Sequence, residues 1–387
     1  MNIKLMNIKL LNYIFPMAIL IHLFLAIWWM AVGWGIVWLL FWAATSKLPV
    51  IARFRKISWL IYPLVIIGSV LAAVTFKTLF FGVYTIPSGS MEKTIVPGDV
   101  VYVNNLAYGP RLPYSPYEIS WVNLLVWFWE GKNADTERRW WSYNRLKGYS
   151  APKRGDVAVF NHPHNGNIFI KRIAGLPGDT LQIIHGELYI NGNKQETPKN
   201  RLFYSNVGFE SMQDGYFILD SLNLKMNHLH RTSGKNQFNG YVTKREMDIL
   251  NAHPRVIYAG IEPNRPDTAW SVFPHSHQLS WNIDNYGPYI IPQKGLVMER
   301  TPDNLAIYED LMNYDAQFRS SHINDDCGYF TFCCNYYFFM GDNFHDSEDS
   351  RYFGPVREEY LIGKASFIIF SSSKNNKAMS RILRRLR

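Results

Sequence analysis

The stretch "PSGSMEK" contains residue types that could carry out acyl transfer. Ser88 and Ser90 lie in a small-residue turn, and Lys93 follows Ser90 by three positions. Serine becomes a useful nucleophile only when a base removes its proton, and Ser-x-x-Lys is the spacing of such a pair in penicillin-recognising enzymes. Those enzymes also carry a KTG strand, which this sequence lacks, and Lys93 follows Glu92 in a polar stretch that favours a protonated amine. The stretch therefore predicts either a nucleophile served by another base or only a polar turn.

A second lysine, Lys171, lies in the apolar stretch "NIFIKRIAGLPGD". On a strand, alternation places Phe169, Lys171 and Ile173 on one face. An amine between apolar side chains is poorly hydrated, which lowers its pKa and favours the neutral form that can act as a base. A surface lysine whose amine reaches water is an equally good interpretation of this stretch. No histidine stands in a recognisable triad setting.

A short polar loop, "GDNFHDSEDSRYFGPV", brings several acids and hydroxyls together between two predicted strands. Its acid spacing lacks the glycine and the terminal glutamate of an EF-hand calcium loop. The preferred interpretation is an Asp349–Arg351 pair that orders the loop. Ser347 then remains free to form a hydrogen bond with an amine.

These segments follow a strongly apolar N-terminal region. Residues 10–46 contain no Asp, Glu, Lys or Arg. Because about 20 apolar residues cross a bilayer, we predict one tilted helix over residues 17–44. Its many tryptophans leave a partly interfacial position open. We assign residues 1–58 to an N-terminal transmembrane region with a basic cytoplasmic loop, and residues 59–81 to a second transmembrane helix.

The remainder, residues 82–387, changes to short alternating runs separated by Gly, Pro and Asn, such as "GDVVYVNN" and "KASFIIFSS". This pattern predicts a mainly β, antiparallel domain outside the membrane. Residues 194–317 are more polar and are predicted to form a mixed insertion. Within it, "VTKREMDILNAH" predicts a helix with Thr243 as N-cap and Glu246 as its capping-box partner.

The formal net charge is +9, with a basic tail at residues 374–387. In a chain that enters a bilayer, this tail favours anionic lipid over nucleic acid as its partner. The apolar stretch "WVNLLVWFW" at residues 121–129 is either a buried strand or a membrane-inserting patch. The three cysteines, Cys327, Cys333 and Cys334, fit neither a disulfide scaffold nor a zinc array. A Cys327–Cys333 bridge and unpaired thiols both remain open.

Four segments in order along the chain resemble the sequence boxes of bacterial type I signal peptidases. These are "PSGSM", "RGDVAVF", "IKRIAGLPGD" and the "GDN…S.DSR..G.V" pattern. Two N-terminal spans and a β-rich domain also fit that family. "YGPRLP" and "WNIDNYGPYIIPQKG" extend the resemblance to the long-insert forms of Bacteroidetes-type bacteria.

The resemblance implies that Ser90 is the acylating nucleophile and Lys171 its general base. It implies an oxyanion hole from the Ser90 backbone N–H and the Ser88 hydroxyl, with Ser347 orienting the Lys171 amine and Asp349 and Arg351 bracing the loop. Shallow pockets for small substrate side chains would be lined by Ile86, Pro87, Met91, Ile95, Val159 and Ile170.

Further expectations follow from the same resemblance. No metal or other cofactor is needed, and the partners are exported preproteins and membrane lipids rather than nucleic acid. The protein would be a multi-pass inner-membrane enzyme with its catalytic domain on the periplasmic side. Lys93 replaces the proline usual in this box, so Lys93→Pro is expected to leave cleavage largely intact. Phe344 and His345 replace the usual Arg-Asp, and Phe353 a common tryptophan. A penicillin-recognising transpeptidase and a non-catalytic membrane protein of the same fold remain the alternatives.

Overall fold

The computed structural model describes residues 13–20, 34–35, 37–39, 41–42, 67–69, 79–118, 126, 131, 141–224, 229–231, 236–262, 272–318, 328–372 and 378–386. The chain separates into two compact units. One comprises residues 1–82 and 104–151, and the other comprises residues 83–103 and 152–387.

Strands dominate the described part of the chain. They are β1 (Phe81–Thr85), β2 (Asp99–Asn104), β3 (Val157–Asn161), β4 (Ile168–Gly175), β5 (Thr180–Ile184), β6 (Glu187–Ile190), β7 (Asn193–Lys194), β8 (Leu202–Phe209), β9 (His230–Arg231), β10 (Gln237–Thr243), β11 (Val256–Ile261), β12 (Tyr286–Ile290), β13 (Val297–Glu299), β14 (Tyr329–Thr331), β15 (Tyr336–Met340), β16 (Val356–Arg357) and β17 (Leu361–Ser371). The helices are α1 (Asn105–Tyr108), α2 (Met212–Ser221), α3 (Lys244–Asn251), α4 (Pro302–Ala316), α5 (Ser350–Phe353) and α6 (Ala378–Arg381), with 3₁₀ turns at Pro116–Glu118 and Glu358–Tyr360.

The largest sheet has seven strands in the order β1-β2-β17-β3-β4-β15-β16. The pairs β17–β3, β3–β4, β4–β15 and β15–β16 are all antiparallel. The smaller sheets follow the orders β12-β5-β6-β7, β11-β8-β10-β9 and β13-β14. The prediction of a mainly β, antiparallel architecture is therefore confirmed.

Apolar side chains on both faces of the large sheet explain why its central strands are so strongly buried. In β3 the residues from Val157 to Phe160 are all buried, so "VAVF" has no solvent face. Burial of apolar area at roughly 25 cal/mol per Å² is the main force that holds such a sheet together. One core cluster joins the turn of residues 86–98 to this sheet and includes Ile86, Met91, Ile95, Val101, Val103, Val157, Val159, Ala365, Ile368 and Leu386.

The sheet β11-β8-β10-β9 packs with helices α2 and α3 around a separate apolar core, which includes Val207, Phe209, Ile218, Val242 and Leu250. Helix α3 begins after Thr243, whose side chain accepts the backbone N–H of Glu246. The Glu246 carboxylate accepts the Thr243 N–H in return. The predicted helix and its capping box are therefore confirmed.

In the first unit, the helical residues 13–20 pack against helical residues within 34–42. The Phe15 ring centroid lies 6.0 Å from that of Trp34 and 5.3 Å from that of Phe41. In one straight helix, a rise of 1.5 Å per residue would separate Phe15 and Trp34 by about 28 Å. Residues 17–20 belong to the same helical segment as Phe15, and Ala18 and Ile19 pack on the cluster that contains Trp34 and Val37. The prediction of one continuous helix over residues 17–44 is therefore wrong.

The remaining membrane predictions fall mostly outside the described residues. Only residues 67–69 and 79–81 of the second predicted span, residue 126 of the apolar stretch and residues 378–386 of the basic tail are described. Within the described part of the chain, no helix has the length and apolar character needed to cross a bilayer. Cys333 and Cys334 are free thiols, and Cys327 lies outside the described residues.

Candidate active site

The nucleophile turn, residues 86–98, connects β1 to β2 and presents Ser90. Backbone hydrogen bonds from Glu92 to Gly89 (2.9 Å) and from Ile95 to Met91 (2.8 Å) fold it tightly. Ser90 is buried, whereas Ser88 is exposed, and their Oγ atoms lie 3.4 Å apart. Within the described residues, no group accepts the Ser90 backbone N–H. The exposed Ser88 hydroxyl lies within hydrogen-bond distance of Ser90 Oγ. The oxyanion role of these two donors stays a prediction.

Lys171 lies on strand β4, and its side chain contacts Ser90. Its Nζ donates a hydrogen bond of 2.7 Å to Ser90 Oγ, although the residues are 81 positions apart. On the neighbouring strand, Lys171 lies opposite the small residue Ala158. Lys171 is only 4% exposed, and its Nζ lies 5.0 Å from the centre of the Phe169 ring. These contacts describe an amine held in apolar surroundings against a serine hydroxyl.

Burial lowers the pKa of Lys171 from 10.5 to about 8, because the charged ammonium loses its hydration. The negative charges of Asp349 and Glu348 act in the opposite direction and raise it. At mildly alkaline pH a large fraction of the amine is therefore neutral and can accept a proton. A buried amine with such a pKa is suited to general-base chemistry.

Lys93 contacts a different partner. Its Nζ lies 2.5 Å from both carboxylate oxygens of Glu246, 153 positions further along the chain. Its backbone has φ of 66°, whereas a proline ring fixes φ near −65°. The expectation that Lys93→Pro leaves cleavage intact is therefore replaced by the opposite one. Proline at this position would break the turn that carries Ser90.

The loop after β15 contains a fully buried ion pair between Asp349 and Arg351. The Arg351 Nε and Nη2 atoms donate to the two Asp349 oxygens at 2.9 and 2.8 Å, and Nη2 also donates to the Phe344 carbonyl at 2.6 Å. The Asp349 carboxylate accepts the Gly341 N–H at 2.9 Å. Although burial alone would raise it, the Arg351 charge and these hydrogen bonds hold the pKa of Asp349 below its ordinary value. The pair thus ties the loop to the end of β15.

Ser347 is buried beside Gly341, and its hydroxyl has no hydrogen-bond partner within the described residues. The bond from Ser347 to the Lys171 amine therefore stays a prediction. A side chain on Gly341 would place its Cβ 2.1 Å from Ser347 Oγ and 2.6 Å from the Ser90 carbonyl oxygen. Gly341 is thus a site residue that the sequence patterns did not identify, because the need for a missing side chain arises only from packing.

Asp342 is a second site residue that the sequence patterns left without a role. It is fully buried and binds Arg172 through Nε and Nη2, at 2.8 and 2.6 Å. It also accepts the Thr94 hydroxyl at 2.6 Å, and the adjacent Asn343 N–H donates to the Ser90 carbonyl at 3.0 Å. The signal was present in the sequence as Arg172, a second cation beside Lys171 on a largely apolar strand, since a buried charge requires a partner.

The predicted pocket residues fall into two groups. Ile86, Met91, Ile95 and Val159 are at most 4% exposed and belong to the core cluster that joins the nucleophile turn to the large sheet. Ile170 is half-buried beside that cluster, and Pro87 is exposed. The first group therefore packs the nucleophile turn onto the sheet, whereas Pro87 and Ile170 retain accessible surface. Their role in substrate binding stays a prediction.

Side chains of metal-ligand type meet away from this site. Ligand atoms of Asp315, Cys333 and Cys334 all lie within 4.8 Å of one another. The Asp315 carboxylate already accepts the Tyr336 hydroxyl at 2.7 Å, and the Arg357 guanidinium lies 3.9 Å from it and 4.0 Å from Cys333 Sγ. A buried cation is thus already present, and we assign no metal to this cluster.

Comparison with known proteins identifies relatives of this chain. The family model described as signal peptidase, peptidase S26, matches residues 57–247 and 307–370. A signal peptidase I of Buchnera aphidicola subsp. Schizaphis graminum is 27% identical over 305 residues, which are 77% of this chain and 70% of that protein. A signal peptidase I of Rickettsia massiliae is 31% identical over 142 residues, covering 36% of this chain and 46% of that protein.

A likeness to a solved structure was also found. The crystal structure of a signal peptidase I from Enterococcus faecalis matches 56% of this chain and 98% of its own, at 17% identity and a TM-score of 0.22. A TM-score that low gives the likeness no weight. The family assignment therefore depends on the match to the family model, which covers most of the chain.

Proposed function

Because this chain belongs to the signal peptidase family, peptidase S26, we propose that it removes N-terminal signal peptides from exported preproteins as a membrane-bound serine endopeptidase. It uses a Ser90–Lys171 dyad and cuts after small residues at the membrane surface. The observation that carries this proposal is the 2.7 Å hydrogen bond from Lys171 Nζ to Ser90 Oγ. The lowered pKa of Lys171 supports the same assignment.

The first step is acylation of Ser90. Neutral Lys171 takes the hydroxyl proton while Ser90 Oγ forms a bond to the scissile carbonyl carbon, and the carbonyl π electrons move to its oxygen. The Ser90 N–H and the Ser88 hydroxyl donate to that oxyanion. One such donor commonly contributes about 3 kcal/mol to stabilisation of the transition state.

The second step breaks the peptide bond. The tetrahedral intermediate collapses, the C–N bond cleaves, and the Lys171 ammonium returns its proton to the departing amine. The signal peptide is now joined to Ser90 as an ester, and the mature protein is free. Lys171 is neutral again and is ready to act on water.

The third step releases the signal peptide. Lys171 takes a proton from a water molecule as its oxygen attacks the ester carbonyl. Collapse of the second tetrahedral intermediate breaks the ester bond, and the proton passes from Lys171 to Ser90 Oγ. Ser347 supports these steps by accepting a hydrogen bond from the Lys171 ammonium. The buried Asp349–Arg351 pair keeps the Ser347 loop against the site.

The same proposal includes a membrane location. The apolar runs at residues 10–46 and 59–76 anchor the chain in the inner membrane, and the catalytic domain lies on the periplasmic side. Anchoring holds the site close to the membrane end of a preprotein's apolar signal segment. Pro87 and Ile170 are the pocket residues with accessible surface for the small side chains before the cleaved bond.

The test compares purified full-length protein in detergent micelles with its variants, using a preprotein and mass spectrometry of the new N-terminus. Ser90→Ala and Lys171→Met should each abolish cleavage. Lys244→Met is the matched control, because Lys244 pairs with Glu187 at an exposed position instead of with Ser90. Full cleavage by Lys171→Met would refute the dyad.

Covalent labelling of Ser90 by a β-lactam, without cleavage of the preprotein, would favour a penicillin-recognising enzyme.

The lipid-binding role of the tail requires a selective test. Arg381 and Leu386 are bound within the domain, because Arg381 pairs with Asp99 and Leu386 joins the core cluster. Deleting residues 374–387 would therefore damage the fold as well as any lipid contact. Arg384 and Arg385 are exposed, so Arg384→Gln with Arg385→Gln should remove a rate advantage in vesicles rich in phosphatidylglycerol over phosphatidylcholine vesicles. An unchanged advantage would exclude these two arginines as lipid contacts.

A further inference from the structure

Two helices of the same subregion begin with similar networks of charged side chains. Helix α2 has Ser211 as N-cap, and Asp214 three residues later binds Arg255 at 2.5 Å. Helix α3 has Thr243 as N-cap, and the Glu246 carboxylate three residues later also binds a cation. The difference lies in the origin of that cation. Arg255 comes from the segment just before β11, whereas the cation at α3 is Lys93 of the nucleophile turn.

Glu246 is well suited to hold Lys93 firmly. Its carboxylate accepts the Thr243 N–H and hydroxyl, both at 2.8 Å, and both of its oxygens face Lys93 Nζ at 2.5 Å. A carboxylate in the first turn is also favoured by the partial positive charge of the helix N-terminus. The pKa of Glu246 lies below its ordinary value because the Lys93 contact and the Thr243 hydrogen bonds outweigh the effect of burial. Glu246 is therefore an anion held by several hydrogen bonds in the first turn of helix α3.

The Lys93 backbone also departs from the ordinary conformation. Its φ of 66° is unusual for a residue with a side chain. A long, flexible side chain gains no steric relief from that conformation, so it persists because neighbouring contacts hold it. The next residue, Thr94, bonds to Asp342, and the Ser90 carbonyl accepts the Asn343 N–H. The segment after Ser90 is thus held by the loop after β15 and, through Lys93, by helix α3.

We propose that Lys93 and Glu246 are positioning residues, and that their ion pair keeps Ser90 Oγ aligned with Lys171 Nζ. This inference rests on the proposed function, since it assumes that Ser90 attacks the substrate. Neither residue touches the reacting atoms. Their effect comes from geometry, because small displacements of a nucleophile cost rate steeply.

The expected signature is a loss of kcat without a change in the essential base. Lys93→Met and Glu246→Gln should each lower kcat by about three- to tenfold at nearly unchanged KM. Glutamine keeps an amide oxygen that can still cap helix α3, so Glu246→Gln removes the charge with little damage to the helix. The midpoint of the pH–rate profile should not move, because the surroundings of Lys171 are unaltered.

The α2 network supplies matched controls. Asp214→Asn and Arg255→Met remove a first-turn ion pair of the same kind in the same subregion, away from the nucleophile turn. Both should keep the wild-type kcat, even if they lower the melting temperature as much as Glu246→Gln does. The double variant Lys93→Met with Glu246→Gln should be no slower than the slower single variant, because both changes remove one contact. Lys93→Arg should restore most of the rate.

Full kcat in both Lys93→Met and Glu246→Gln would overturn the inference. Equal losses of kcat in the α2 controls would also overturn it, since they would indicate general destabilisation. Lys93→Gly tests whether the backbone conformation at this position matters and the ion pair does not, because glycine accepts positive φ but provides no cation. Wild-type kcat in that variant would assign the effect to the backbone alone. If Ser90→Ala still cleaves the preprotein, the proposed function fails, whereas an inactive Ser90→Ala with fully active Lys93→Met defeats only this inference.

Discussion

Replacing Lys171 by methionine should abolish cleavage and at the same time stabilise the fold. Lys171 is 4% exposed, and its pKa falls from 10.5 to about 8. This difference of about 2.5 units corresponds to roughly 3 kcal/mol, at 1.36 kcal/mol per unit. Below pH 8 the folded protein carries that cost, because it buries an ammonium that the unfolded chain would leave in water. Methionine has a similar length and does not carry the charge.

The net gain is smaller than this cost. Methionine also removes the hydrogen bond to Ser90 Oγ, and a typical hydrogen bond contributes about 1 kcal/mol to stability. At pH 6 the variant should therefore exceed the wild type by about 2 kcal/mol in free energy of unfolding. Such a gain from the loss of an essential residue is expected where an active site holds a group in an unfavourable environment.

The gain should depend on pH with a definite sign. Between pH 8 and 10.5 the unfolded wild-type chain binds more protons at Lys171 than the folded protein does, so its stability rises with pH across that window. Methionine does not titrate. The advantage of the variant should therefore decline over this window. By about pH 11 only the loss of the hydrogen bond should remain, as a deficit of about 1 kcal/mol.

The assay is urea unfolding of the full-length protein in detergent micelles, followed by tryptophan fluorescence at pH 6, 8, 9 and 10.5. Lys153→Met is the control, because Lys153 is exposed, and it should not reproduce the gain in stability at pH 6. A Lys171→Met protein that is less stable than the wild type at pH 6 would refute the reasoning. A stability difference that stays constant from pH 6 to 10.5 would do so as well.

Three other predictions concern the site and the Arg381–Asp99 pair of the same domain. Cleavage, measured as kcat/KM, should rise with pH around a midpoint near 8, because Lys171 must be neutral to act as a base. Glu348→Gln should move that midpoint to lower pH, because the Glu348 charge raises the pKa of Lys171. Gly341→Ala should lower cleavage at least about tenfold, since its Cβ would overlap Ser347 Oγ at 2.1 Å. Arg381→Met should lower the free energy of unfolding by about 3 kcal/mol in urea titrations, because it leaves a fully buried carboxylate at Asp99 without its cation.

Each of these predictions has a control and an opposing result. A Glu348→Gln profile that moves to higher pH would contradict the electrostatic account of Lys171. Gly260→Ala is the control for Gly341→Ala, because a Cβ at Gly260 meets nothing within 4 Å. Similar cleavage by the two alanine variants would contradict the steric account. An Arg381→Met protein as stable as the wild type would show that Asp99 is adequately solvated without its partner.

The sequence alone determined the features that depend on neighbouring residues. The capping box of Thr243 and Glu246 needs only a four-residue pattern, and the structure contains it. The strand that carries Lys171 follows from a local apolar run, and the turn around Ser90 follows from small residues. The resemblance in the order of the boxes also identified the family, because it depends on residue types and spacing rather than on contacts.

Only the tertiary structure decided how distant segments meet. The bond between Lys171 and Ser90 spans 81 positions, the Lys93–Glu246 pair spans 153, and the Arg381–Asp99 pair spans 282. The pKa of Lys171 depends on the strands that bury it. Position 341 requires glycine because the fold places Ser347 Oγ and the Ser90 carbonyl oxygen where a side chain would lie. Local propensity leaves such distances open, because apolar burial and charge pairing among remote strands determine them.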